Sequence, residues 1–259
     1  RFFQILYSFF IVVIPYTASG QLLINEFSSK GNFEDFNGNA YDWVEIINSS
    51  NSSVDLSNYF LTDNASNLNK FQLPDTILHT DSLLLFFLSG TSHSDFHANF
   101  KLSLGEEIII SDTSNIIIDS KNVSTALSLI SEGRILDGNT DWGYFNIPTP
   151  GLSNDSSSYY MFISDPPNLS LESGWYNQGQ FLIMNTDSLS KIYYTINGDI
   201  PDSNDNLYVD TLFLDSTTVI SARVFRDSSY LPSKVIDRTY FFNEDNFDLP
   251  VFSIITDSL

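Results

Sequence analysis

The sequence contains no cysteine. Disulfides, a thiolate nucleophile and every cysteine-ligated zinc or iron–sulfur site are therefore excluded. Histidine is scarce too: three residues in 259 supply every imidazole the chain can offer a metal. Basic residues are few, with 11 Lys and Arg against 32 Asp and Glu, so the net charge is −21 and the isoelectric point about 4.1. Residues 21–152 alone hold 5 Lys and Arg against 17 Asp and Glu, a difference of −12. Such a surface repels phosphate, and nucleic acid is not an expected partner. Beyond Gln21, helical periodicity is missing as well, because no stretch of ten or more residues repeats its apolar positions at three- and four-residue steps.

Long hydrophobic runs are absent with one exception. Phe2 to Tyr16 reads FFQILYSFFIVVIPY, preceded by Arg1 and followed by the small residues Thr17-Ala18-Ser19-Gly20. Its fifteen residues fall short of the roughly 20 that span a bilayer as a helix, so residues 1–20 are expected to be a signal peptide cut before Gln21. The mature chain is then secreted or displayed on the cell surface, with no transmembrane span. An exported protein without cysteine points to a bacterial source.

What is present suits a folded core: 42% hydrophobic and 15% aromatic residues, in a length typical of two domains. Short apolar runs follow one another between turn residues, at 22–27, 43–48, 54–63, 70–74, 82–89, 99–104, 106–112 and 116–120. After the break Pro148-Thr149-Pro150-Gly151 and the Ser/Asn-rich stretch behind it, a second series runs through 168–173, 179–186, 191–196, 207–214, 218–225 and 235–242. Strand-length runs at this spacing predict an all-β chain of two consecutive sandwiches. Within 43–48 both alternating faces carry apolar residues, which places that strand inside a sheet.

Four blocks in order carry a resemblance over Gln21 to Asn154: Ile24-Asn25-Glu26-Phe27; Asp42-Trp43-Val44-Glu45-Ile46-Ile47-Asn48 leading to Val54-Asp55-Leu56-Ser57-Asn58-Tyr59; His97-Ala98-Asn99-Phe100-Lys101-Leu102 with Gly105-Glu106-Glu107; and Pro148-Thr149-Pro150-Gly151. This segment resembles the lamin-tail domain, an immunoglobulin-like sandwich. The resemblance implies that Trp43 and Tyr59 are core aromatics, Gly105 a tight turn, and the Pro-Gly run the terminator of the last strand. A second stretch, Tyr193-Tyr194-Thr195-Ile196-Asn197-Gly198-Asp199-Ile200-Pro201 with Tyr208, Ala222-Arg223-Val224 and Thr239-Tyr240-Phe241, is similar to the small sandwich at the C-terminus of chitobiases and hexosaminidases. That module is an accessory in its enzymes, and Asn197 and Asp202 depart from its usual pattern. The order of the two, followed by Leu249-Pro250-Val251-Phe252-Ser253-Ile254-Ile255-Thr256-Asp257, is similar to the front of secreted kinases related to spore-coat protein H. The expected organisation is a signal peptide at 1–20, a lamin-tail-like sandwich at 21–152, a linker at 153–165, a chitobiase-tail-like sandwich at 166–242, and the start of a third, kinase-like unit at 243–259.

Chemistry is sparse. His93 and His97 stand four apart, but SGTSHSDFHANF has loop composition and no Glu follows the first His, so no zinc is expected there. Glu26 and Glu45 lie on neighbouring strands and could form a glycosidase pair, yet nothing marks a sugar cleft, and both are expected to face solvent or to meet backbone donors at a strand edge. The Gly-x-Ser-x-Gly elbow of a hydrolase is missing. Two acidic loops offer oxygen ligands for calcium: Asp35, Asn37, Asn39 and Asp42 in the first, Asp199, Asp202 and Asp205 in the second. The first lacks the Gly and terminal Glu of an EF-hand, and solvated loops account for both. Tyr159, Tyr160, Trp175 and Tyr176 could stack on a glycan, or pack between domains. No catalytic residue and no cofactor is assigned. The expected role is a non-catalytic accessory, positioning or adhesion region whose partners are neighbouring domains of the same chain; a calcium-dependent or glycan-binding surface adhesin is the alternative.

Overall fold

The computed structural model describes residues 22–242 and 253–255. The expected signal peptide and most of the expected third unit lie outside the described residues. The first unit consists of β1 (Leu22–Glu34), β2 (Ala40–Asn48), β3 (Val54–Asp55), β4 (Tyr59–Thr62), β5 (Phe71–Gln72), β6 (Ile77–Leu78), β7 (Leu83–Leu88), β8 (His97–Ala98), β9 (Glu107–Asp112), β10 (Ile117–Asn122), β11 (Ser131–Arg134) and β12 (Trp142–Phe145). The second consists of β13 (Phe162–Ile163), β14 (Asn168–Leu169), β15 (Gly174–Tyr176), β16 (Gln180–Leu182), β17 (Met184–Asn185), β18 (Lys191–Thr195), β19 (Asn206–Leu207), β20 (Leu212–Leu214), β21 (Thr218–Phe225), β22 (Tyr230–Leu231) and β23 (Ile236–Phe242). The all-β expectation holds. Among the described residues the one helical element is the 3₁₀ turn Leu56–Asn58, where Asp55 caps Ser57 and interrupts the run 54–63.

In the first unit a six-stranded sheet, β12-β11-β1-β2-β7-β8, faces a four-stranded sheet, β10-β9-β4-β5. Their inner faces enclose Leu22, Ile24, Phe27, Val44, Ile46, Leu61, Phe86, Leu88, Ile108 and Ile110. As expected for an interior strand, β2 is buried on both faces: Val44 and Ile46 enter this core, while Trp43, Glu45 and Ile47 are buried on the other side. Between Ile24 and Glu26 the β1–β2 register slips by one residue, so that Ile24 pairs with Ile46 but Glu26 with Glu45. This bulge at Asn25 flips the alternation. Without it Glu26 would follow Ile24 into the apolar core; with it Phe27 takes that place.

Two elements differ from expectation. Residues 99–104 keep the alternation of a strand, with Phe100 and Leu102 buried, yet pair in no ladder. The Leu102 amide donates instead to an Asp42 carboxylate oxygen at 3.0 Å, and the paired residues are His97 and Ala98 beside the end of β7. Conversely, β11 reads Ser-Glu-Gly-Arg, without one apolar side chain, and is buried at all four positions.

The second unit pairs β15-β23-β21-β18-β19 in one sheet, with the ladders β16–β20 and β14–β17 closing the opposite side. Leu182, Met184, Ile192, Ile220, Ala222, Val224 and Tyr240 form its core. The turn Asn197-Gly198 has Gly198 at φ +89°, and Asn197 Oδ1 accepts from the Asp199 amide.

The stretch between the units is ordered into both. Asn154 is fully buried in the first, its side chain donating to the Arg134 carbonyl at 2.8 Å. Tyr160 exchanges two backbone hydrogen bonds with Tyr144 of β12, at 2.8 and 2.9 Å. Two residues later β13 runs parallel to β22, pairing Phe162 with Tyr230 and Ile163 with Leu231.

Candidate functional site

Glu26 and Glu45 face each other across the central strands of the larger sheet, fully buried. The sequence expectation is corrected in part: they meet neither solvent nor a strand edge, but they do meet backbone donors. The Pro-Thr-Pro-Gly segment, beyond ending the last strand, folds back as a lid over them. Glu26 accepts from the Thr149 amide at 3.1 and 3.2 Å and is bonded to the hydroxyls of Ser131 and Thr149, the latter at 2.7 Å. Glu45 accepts from the Asn25 amide group at 3.1 Å and from the Gly151 amide at 2.6 Å. All four carboxylate oxygens are thus occupied by protein groups, which leaves no oxygen for a sugar.

Thr149 Oγ1 has one hydrogen but touches two acceptors, Glu26 Oε2 at 2.7 Å and Asn154 Oδ1 at 2.6 Å. Asn154 is oriented by its donation to Arg134, so its Oδ1 can only accept. The Thr149 hydroxyl is thus shared between Glu26 and Asn154. Burial pushes Glu26 above the ordinary carboxylate range and Glu45 from 4.5 up to about 8, against the lowering effect of their hydrogen bonds. This is a buried polar clamp that fastens the lid.

The calcium candidates of the first loop are divided. Asp42 is taken up by the Gly31 and Leu102 amides, at 3.1 and 3.0 Å. Asp35 stands at the β1–β2 turn, where its Oδ1 accepts from the amides of Asn37 and Asn39 at 2.8 and 3.0 Å, the second of these being the main reason its carboxyl is held below the usual range. In the second loop Asp199 Oδ2 accepts from Asn197, Asp202 Oδ1 from the Asn204 amide and Asp205 Oδ2 from the Asp202 amide. The carboxylates close their own turns.

Asp35 has other company. His93 and His97, from the segment after β7, lie beside it, their ring centroids 4.0 Å apart, and one ligand atom of each of the three residues lies within 4.8 Å of the others. Sequence reasoning singled out the histidine pair and, separately, Asp35 as a calcium candidate, but did not bring them together, because Asp35 is distant from the histidines in sequence. Only the antiparallel pairing of β2 with β7 brings the β1–β2 turn to the end of β7.

The four candidate aromatics form no single platform. Tyr159 and Tyr160 sit at the junction, where Tyr159 touches Gly143 and a Cβ at Gly143 would come within 3.1 Å of the Tyr160 carbonyl. Trp175 stacks on Phe241 at 4.5 Å, and Tyr176 on Phe242 at 5.6 Å, in the second unit.

Residues 15–136 match the family model of the Lamin Tail Domain, and residues 171–236 that of the Chitobiase/beta-hexosaminidase C-terminal domain. The chain carries a lamin-tail domain followed by a chitobiase/hexosaminidase C-terminal-like domain. Both are non-catalytic modules with immunoglobulin-like architecture. No curated protein and no solved structure matches the chain. The matched range of the lamin-tail domain stops at residue 136, yet β12 and the lid at 148–154 complete its sheet and bury its two glutamates. Among the described residues no helix is long and apolar enough to cross a membrane.

Proposed function

We propose that this chain is an exported, non-catalytic accessory region that holds a neighbouring domain of a larger secreted or surface protein, in the setting of bacterial kinases related to spore-coat protein H. One observation carries the reading. Within four residues, Tyr160 to Ile163, the chain passes from a backbone pair with β12 of the lamin-tail domain to a ladder with β22 of the next, so the two modules are joined sheet edge to sheet edge instead of by a free tether. Phe162 stacks on Tyr230 at 4.8 Å and the Met161 amide donates to the Ser229 carbonyl at 3.0 Å, which adds to the same joint. Two modules fixed in this way make a spacer of defined length and direction.

The distribution of cations supports the non-catalytic part. Phosphoryl transfer needs cationic groups on the phosphates and carboxylates holding magnesium in one cleft. In the second module Arg223 donates to the Ser233 carbonyl, Arg226 lies over the Tyr230 ring and near Asp187, and Arg238 meets Glu172. These groups are spent on separate local contacts. Purified protein given ATP with magnesium or manganese should transfer no phosphate to itself or to a protein acceptor, and phosphorylation of either would overturn the reading. In a bacterial host the chain should be exported with Gln21 as its new N-terminus; retention in the cytoplasm would remove the exported part of it.

A further inference from the structure

We propose that Asp35, His93 and His97 form a binding site for a divalent transition metal of the zinc class at one end of the lamin-tail domain. The argument begins with His97. Its ring lies against Phe87 at 5.1 Å and meets the edge of Tyr41 at 5.4 Å, the residue is 7% exposed, and its buried Nδ1 has no hydrogen-bond partner. Buried polar atoms are almost always paired, and leaving one unpaired is destabilising. An imidazole kept in an aromatic niche without a partner is set for a ligand that brings its own charge.

The other two members are held for the same task. His93 Nδ1 lies 3.1 Å from the Thr91 hydroxyl, a contact that fixes the ring and, with Nδ1 as donor, leaves Nε2 with a free lone pair. Asp35 gives its Oδ1 to two turn amides, while Oδ2 makes a longer 3.4 Å contact with the Asn37 side chain. Ligand atoms on one zinc ion lie about 3.3 Å apart, given Zn–N distances near 2.0–2.1 Å. The 4.8 Å spread of the three therefore has to close by roughly 1.5 Å, within reach of rotation of the exposed His93 side chain and a small shift of the partly buried Asp35.

The donor set selects the metal. Two imidazoles and one carboxylate suit zinc, with nickel and copper as competitors, whereas calcium takes six to eight oxygens. Three protein ligands leave a fourth position open, and here it faces a cavity of about 410 Å³ bordered by Phe36, Leu85, Phe87 and Phe96. Such a site is open in the manner of one that keeps an exchangeable water or takes a donor from another molecule.

The test is titration of the chelator-stripped protein with zinc, calcium and cobalt. One zinc should bind in the micromolar range or tighter, calcium should compete poorly, and cobalt should show the visible absorption of a four-coordinate centre. His93→Ala and Asp35→Asn should each weaken zinc by about tenfold or more, and Thr91→Val, which releases the His93 ring, by a comparable factor. His79→Ala should leave binding unchanged, since His79 contacts Ser53 elsewhere in the domain. No saturable zinc binding, binding that survives both His93→Ala and Asp35→Asn, or calcium binding as tight as zinc would each overturn the proposal.

Discussion

Arg134 and Asp119 form an ion pair at 2.9 Å that stands in for a missing piece of β-ladder. Asp119 Oδ2 also accepts from the Ile24 amide at 2.8 Å, and Arg134 Nε donates to the Ile24 carbonyl at 2.7 Å. Both backbone groups of Ile24 are satisfied by side chains just where β1 slips register. The pair is almost buried, with Arg134 also donating to the Asn139 carbonyl and lying over the Trp142 ring at 5.0 Å.

Arg134→Ala should therefore destabilise the lamin-tail domain by about 3 kcal/mol or more, because it strands a buried carboxylate and the Ile24 carbonyl together. Arg134→Lys should recover little, since one ammonium cannot reproduce the guanidinium's fork of donors. Denaturant titration of the variants gives the answer; a loss below about 1 kcal/mol for Arg134→Ala would mean that the pair is dispensable.

The buried glutamates predict an unusual pH profile. An acid whose folded pKa is raised stabilises the fold fully below its ordinary value of 4.5 and loses that contribution as pH climbs toward the folded value, about 8 for Glu45. The slope is roughly 1.4 kcal/mol per pH unit for each proton the fold retains. The melting temperature should fall from pH 5 to pH 8.5. Growing repulsion among other surface acids acts in the same direction, so a variant is needed to separate the two. Glu26→Gln keeps the shape of the side chain and removes its titration; it should match the natural protein at pH 5 and exceed it at pH 8. A lower melting temperature at pH 8 would show that Glu26 is ionised in the fold.

Gly133 marks how tightly the lid is seated. A Cβ there would lie 2.9 Å from Glu26 Cγ, 3.0 Å from Asn154 Nδ2 and 3.0 Å from Phe145 Cε2. Gly133→Ala should cost about 1–3 kcal/mol through overpacking and raise exchange of the Thr149 and Gly151 amides. Unchanged exchange at those amides would show that the lid is not coupled to Gly133.

Tyr160→Pro removes the amide that donates to the Tyr144 carbonyl at 2.9 Å. Each module should keep its own fold while their shared orientation is lost. Residual dipolar couplings that fit one alignment tensor in the natural protein should need two in the variant. One tensor in both would show that the joint does not depend on this pair.

Much of this architecture follows from local sequence. Strand-length apolar runs, the absence of helical spacing and Asn197-Gly198 as a turn determined an all-β chain, and two ordered sets of blocks determined which modules it contains. Composition could not find β11, since Ser131-Glu132-Gly133-Arg134 carries no hydrophobic signal; its burial comes from partners on β1, β10, β12 and the lid. Alternation likewise suggested a strand at 99–104, where the pattern is real but the pairing strand is absent. The inward or outward direction of Glu26 was decided by a one-residue bulge, because a period of two inverts with any single insertion and nothing in Ile24-Asn25-Glu26-Phe27 announces the slip. The meeting of Asp35 with His93 and His97 was decided by strand pairing, since proximity across a sheet depends on register and not on distance along the chain.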